Sequence, residues 1–345
     1  MRAIESSRRA WDARALAYTA ILRLLAALPL AARESEPGSV YAARRAALTE
    51  KLSAPVVLFG YTGDENSSPS YVFNQEENFY YLTGHNEEGA AILLLPPSAA
   101  QKGWKGPRDI LFLQERDAEQ ERWHGPRLAP EDSGVAAKTC FEAVEEITGL
   151  KSRLASLISI YGEIYTLVPH KEDTGFPHAR VWSEWLAEAA PRASWRDVAP
   201  AIGAMRQIKS AGEIALLSKA VDLSVDAHLV AMRATRPGLY EYQVAARMVE
   251  THTWGGCEGE AYAPIVGTGF DSTVLHFNEL SRQIRDGDVV LLDVGCQYAG
   301  YAADVTRTIP ANGRFTPRQK EIYEIVLGAQ NAVLAALKPG MMLGL

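Results

Sequence analysis

The chain has 345 residues, 47% of them hydrophobic and 22% charged, a balance that suits a globular protein too long for one ordinary core, so two domains are expected. A net charge of −7 argues against a general nucleic-acid binder. Three cysteines, Cys140, Cys257 and Cys296, are too few and too scattered for a disulfide framework or a zinc site.

In chain order, Arg8 and Arg9 precede an apolar run, Leu16–Ala32, that Arg23 interrupts. The run is too short and too broken for a membrane span. Two readings of residues 1–37 stay open: a secretory signal peptide over 1–32, suggested by the basic start and the small pair Ala31-Ala32, or an amphipathic helix packed on the first domain. Localisation is accordingly cytoplasmic or exported.

Residues 38–200 alternate strand-length apolar runs with helical stretches, the pattern of a mixed α/β domain. Strands are expected at Val56–Tyr61, Phe79–Leu82, Ala91–Leu95 and Ile110–Leu113, and helices at Glu142–Leu157 and Val181–Ala190. No catalytic constellation emerges here. Gln75-Glu76-Glu77-Asn78 and Asn86-Glu87-Glu88 read as solvated turns, and His85, His124, His170 and His178 lack a second histidine at ligand spacing, which makes them structural.

A boundary is expected near Pro200–Gln207, and residues 201–345 form the second unit. Ser210 and Glu213 have capping-box spacing, and Ile214, Leu217, Val221, Val225 and Leu229 make a stripe expected to face a core. A second helix is expected from Tyr242 to Thr251. Short strands follow at Ala263–Val266 and Thr273–His276; Gly267-x-Gly269 between them lacks the Gly-Lys-Ser/Thr and the helix that a phosphate loop needs. His276 ends the second strand, where a lone histidine is more often a rim residue than a catalyst.

The stretch VVLLDVGCQYAGYAADVTRT, residues 289–308, reads as a hairpin with strands Val289–Val294 and Tyr301–Thr308. Each strand carries one carboxylate in an apolar setting, Asp293 and Asp304. A turn centred on Tyr298-Ala299 sets them directly opposite on one face, where like charges repel unless a cation lies between them. A one-residue slip would instead put them on opposite faces. Thr306 shares the face of Asp304. Beyond it, Thr316-Pro-Arg-Gln319 starts a helix whose stripe, Ile322, Ile325, Val326, Ala329 and Val333, is expected to be buried.

Four segments, MRQIKSAGEIALL, IVGTGFDSTVLHFNE, the long run from Arg285 to Leu327 and the closing LKPGM, resemble the first half of the pita-bread metallopeptidase domain of Xaa-Pro aminopeptidases and prolidases. NQEENFYYLTGHNEEGAAILLL and LFLQERDAEQERWHGPRL are similar to the N-terminal domain of aminopeptidase P. The fold class so implied is α/β (α+β): a mixed α/β domain, then the first half of a pita-bread domain. The resemblance implies two divalent ions, manganese in this branch, with Asp293 holding one, Asp304 bridging both and His276 assisting at the substrate; the position of Thr306, two residues after Asp304 on the same face, makes it the expected hydrogen-bond partner behind the ligands. It implies cleavage of the amide bond before a proline at the second position of a peptide, by a water that the ions activate. A further histidine and two glutamates complete the family's ligand set, and no segment of this chain matches them. The 345 residues are thus expected to be an inactive, C-terminally truncated form of an enzyme that is homo-oligomeric when complete. Prolidase action on dipeptides and a non-catalytic pita-bread binding protein are the alternatives.

Overall fold

The computed structural model describes residues 35–63, 73–168 and 184–341, so the run Leu16–Ala32, His170, His178 and the start of the stretch Val181–Ala190 lie outside the described residues. Apolar runs that are continuous rather than alternating need cover on both faces. They form β1 (Val56–Phe59), β2 (Ala91–Leu94) and β3 (Asp109–Leu113), joined by β4 (Ala143–Glu146), β5 (Glu163–Thr166) and β6 (Ser194–Asp197) in one mixed sheet of order β4-β3-β2-β1-β5-β6. Successive side chains serve two cores. Val56, Leu58, Ile92 and Leu111 pack with Leu48 of α1 (Gly38–Thr49), Phe79 of α2 (Glu77–Thr83) and Ile202. Val57, Phe59, Leu93 and Ile110 pack with Leu150, Leu154 and Leu157 of α3 (Leu150–Tyr161).

Two expectations fail in this part. Phe79–Leu82 is not a strand but the middle of α2, which starts where the Glu76 carboxylate accepts the Phe79 N–H at 2.6 Å and stops at Gly84, φ 64°. A four-residue apolar run fits either period, and the cap and the left-handed glycine settle it. The same contacts show that the acidic stretch is structural rather than merely solvated. Glu142–Leu157 is not one helix: it opens as β4, parallel to β3, passes through a 3-10 turn at Ile147–Gly149 and becomes α-helical at Leu150.

After α4 (Ala199–Gln207), both arms of the Ser210–Glu213 capping box are present at the head of α5 (Ala211–Ala234), and α6 (Glu241–Trp254) packs on it. Two three-stranded sheets follow. One is β12-β9-β8, from β8 (Ile265–Thr268), β9 (Val289–Asp293) and β12 (Thr306–Pro310); the other is β11-β10-β7, from β7 (Gly259–Glu260), β10 (Cys296–Tyr298) and β11 (Tyr301–Ala302). The first packs Val266, Val290 and Leu292 on Ala227, Ala231, Val244 and Met248, and the second packs Cys296 and Tyr298 on Leu216, Ala220 and Leu223.

The apolar stripes are not where their periodicity suggested. On α5 the small residues Ala220, Ala227 and Ala231 are buried, and Ile214, Val221, Val225 and Leu229 are 39–52% exposed. The buried face of α5 also carries Leu216, Leu223 and His228, so the core-facing stripe is the neighbouring one rather than the one expected. On α7 (Pro317–Ala336) no residue is buried, and Ile322, Ile325, Val326 and Val333 face solvent. The cysteine expectation is also corrected: Cys257 and Cys296 form a disulfide, Cα–Cα 6.1 Å, because β7 pairs with β10 across 39 positions of sequence.

Candidate metal centre

The hairpin is present with a changed register, and each expected strand is in two pieces, β9 then β10 and β11 then β12, with Asp304 in the break between β11 and β12. Asp293 pairs with Thr306, and the same alignment continues to Gln297 with Ala302 and Tyr298 with Tyr301. The turn is centred on Ala299-Gly300, φ 52° and 77°, one position later than expected. A two-residue hairpin turn of this hand needs positive φ at both positions, and centring it here uses Gly300 while sparing the bulky Tyr298. Moving the turn by one residue moves each partner by two. Parity is therefore kept, and Asp304 lies diagonally from Asp293 on the same face rather than directly opposite.

Backbone packing makes this face compact. The Val294 N–H donates to Val305 O at 3.2 Å and the Ala303 N–H to Cys296 O at 2.9 Å. Gly295 sits between these bonds, where an added Cβ would stand 1.8 Å from Ala303 O, so only glycine fits. Asp293 is half-buried and Asp304 exposed.

Both carboxylates meet at Tyr262. Its hydroxyl lies 2.5 Å from Asp293 Oδ1 and 3.2 Å from Asp304 Oδ1, so a single proton is shared between two acids. Burial raises the Tyr262 pKa, and the two carboxylates raise it further, so the phenol stays a donor across the working pH range. Sequence reading missed this residue. Its one signal is position: Tyr262 stands three residues before Ile265, which pairs with Asp293.

The remaining site candidates are placed but not gathered. Thr306 pairs with Asp293, yet its hydroxyl has no hydrogen bond to either carboxylate among the described residues. Thr273–His276 is not a strand: a short 3-10 turn covers Gly269–Thr273, and His276 follows it, exposed. Arg282 anchors this loop through paired bonds to Asp271 at 2.7 and 3.0 Å. Among the described residues, no group of three or more His, Cys, Asp or Glu is assembled to hold a metal ion. The donor set fits a hard divalent ion in part, since two carboxylate oxygens converge on one point with solvent access.

Comparison with known proteins agrees with this architecture. Residues 215–344 match the model of metallopeptidase family M24, and residues 41–165 match that of the aminopeptidase P N-terminal domain. The chain is 36% identical over 284 residues to the Xaa-Pro aminopeptidase of Haemophilus influenzae, covering 80% of this chain and 60% of that protein. It is 34% identical over 306 residues to the Xaa-Pro aminopeptidase of Escherichia coli, covering 86% and 67%. Proline aminopeptidase P II from Yersinia pestis superposes with a TM-score of 0.76 at 33% identity over 88% of this chain and 70% of that one. A zinc-substituted E. coli aminopeptidase P in complex with product gives 0.76 at 29%, over 89% and 70%. The chain thus spans about 60–67% of the length of these two curated relatives, and it belongs to the aminopeptidase P group of metallopeptidase family M24.

Proposed function

We propose that Asp293 and Asp304 are ligands of a divalent-metal centre that cleaves the bond between an N-terminal residue and a following proline. The observation that carries this reading is the convergence of both carboxylates on one hydroxyl, that of Tyr262. Two like charges held this close cost stability unless they bind something positive, and hard oxygen ligands suit manganese or a similar ion. When bound, the ions supply a water of lowered pKa and polarise the scissile carbonyl. Tyr262 holds the two carboxylates in register by hydrogen bonding. His276, exposed beyond the 3-10 turn, donates to the carbonyl oxygen as charge develops there.

Two carboxylates fill only part of a six-fold shell, so residues 1–345 should bind manganese weakly, with Kd on the order of millimolar. By themselves they are expected to leave Xaa-Pro peptides uncut. The test is paired: hydrolysis of an Xaa-Pro-Xaa tripeptide and an Xaa-Pro dipeptide, with and without manganese, by this chain and by a fusion that extends it to the length of its relatives. Metal-dependent cleavage of the tripeptide by the fusion supports the proposal, and cleavage of the dipeptide alone favours prolidase. Turnover unaffected by Asp304→Ala contradicts the proposal.

A further inference from the structure

Residues Cys257–Tyr262 grip the hairpin at three heights. At its tip, the Glu258 carboxylate accepts the Ala299 and Gly300 N–H groups at 2.9 and 3.1 Å. In the middle, Cys257 is bonded to Cys296, and the Ala261 N–H donates to Gly295 O at 2.8 Å. At the base, Tyr262 touches Asp293 and Asp304. Glu260 ties the same segment to α6 through the buried His252, Nδ1 to Oε2 2.8 Å. The paired strand within it, β7, is only two residues long, too short to hold register by ladder bonds alone.

We propose that the Cys257–Cys296 disulfide is a redox-sensitive splint that holds Tyr262 against the carboxylate pair, so that reducing it loosens the hairpin and weakens divalent-ion binding; the ion-binding half rests on the function proposed above. The bond closes a ring that contains both Tyr262 and Asp293, which limits the arrangements open to them. Cys296 is fully buried and Cys257 is 3% exposed, so a reductant enters only when the hairpin tip opens, and it attacks at Cys257. A thiolate of an external dithiol bonds to Cys257 Sγ and releases Cys296 as a thiolate. The second thiol of the reductant then displaces Cys257, both cysteines take up protons, and the reductant leaves oxidised as its own disulfide.

The experiment uses residues 1–345 purified without reductant, then treated with dithiothreitol, which is removed before measurement. Thiol titration in denaturant is expected to find one free thiol, Cys140, before reduction; three would overturn the proposal. Amide exchange at Val294, Cys296 and Ala303 should accelerate about tenfold or more on reduction, and Cys257→Ser/Cys296→Ser should reproduce this without reductant. Unchanged exchange overturns the splint. Manganese affinity, read by the paramagnetic resonance of the free ion, should fall several-fold in the reduced protein, and equal affinity in both states overturns the coupling to the ion. Binding that Asp304→Ala leaves untouched in the oxidised protein would remove the metal-centre reading itself, while amide exchange still judges the splint.

Discussion

At the scale of single residues, the site depends on one phenol between two acids. Tyr262→Phe removes the shared proton but keeps the ring, so two like charges then face each other across solvent. The variant should be less stable by about 1–2 kcal/mol, and manganese should restore more stability to it than to the wild type, as differential scanning fluorimetry at matched ion concentration would show. A second residue reports on pH. His85 is 7% exposed, its Nε2 has no hydrogen-bond partner among the described residues, and burial lowers its pKa from 6.5 to about 4. The folded chain therefore keeps His85 neutral while the unfolded chain protonates first. Its contribution is complete above about pH 6.5 and is lost as pH falls toward 4, by up to about 3 kcal/mol. Urea titrations at pH 7 and pH 4.5 should show that loss, and His85→Leu should shrink the gap between them; an equal gap in the variant would contradict the assignment.

At the scale of elements, the hairpin shows what sequence does and does not determine. The turn and the shared face of Asp293 and Asp304 were legible, because a period of two survives a two-residue change of register, but the interruptions at 294–295 and 303–305 that divide the hairpin between two sheets were not. The register itself was not, because it depends on which residues accept positive φ, and Ala299 does so beside Gly300. Phe79–Leu82 and Thr273–His276 were misassigned for a related reason: a four-residue segment fits a helix, a turn or a strand until its caps and neighbours are known. Tyr262 and the Cys257–Cys296 bond were invisible because pairing across the sheet, not spacing along the chain, brings them to the site. Gly295 tests the hairpin directly. Gly295→Ala drives a methyl into Ala303 O, so the variant should lose about 3 kcal/mol or more. Denaturant unfolding followed by circular dichroism would measure this, and a loss below about 0.5 kcal/mol would contradict the ladder described here.

At the scale of the whole molecule, α5 and α7 leave two apolar faces open to solvent. Residues 1–345 should therefore bind an apolar dye strongly, and Ile325→Glu with Val333→Glu should cut that fluorescence without changing far-ultraviolet dichroism. The central strands of the N-terminal sheet, β1, β2 and β3, are covered on both faces and need no such partner, which is why their apolar runs were legible while the less buried β4 and β6 were not. The proposed metal centre requires Asp293 and Asp304 to grip an ion together. Anomalous diffraction at the manganese edge, from crystals of this chain soaked in tens of millimolar manganese, measures that directly. The expected result is a peak at roughly 2.0–2.6 Å from oxygens of both carboxylates; a peak on neither, or side chains turned to opposite faces of the hairpin, would contradict it.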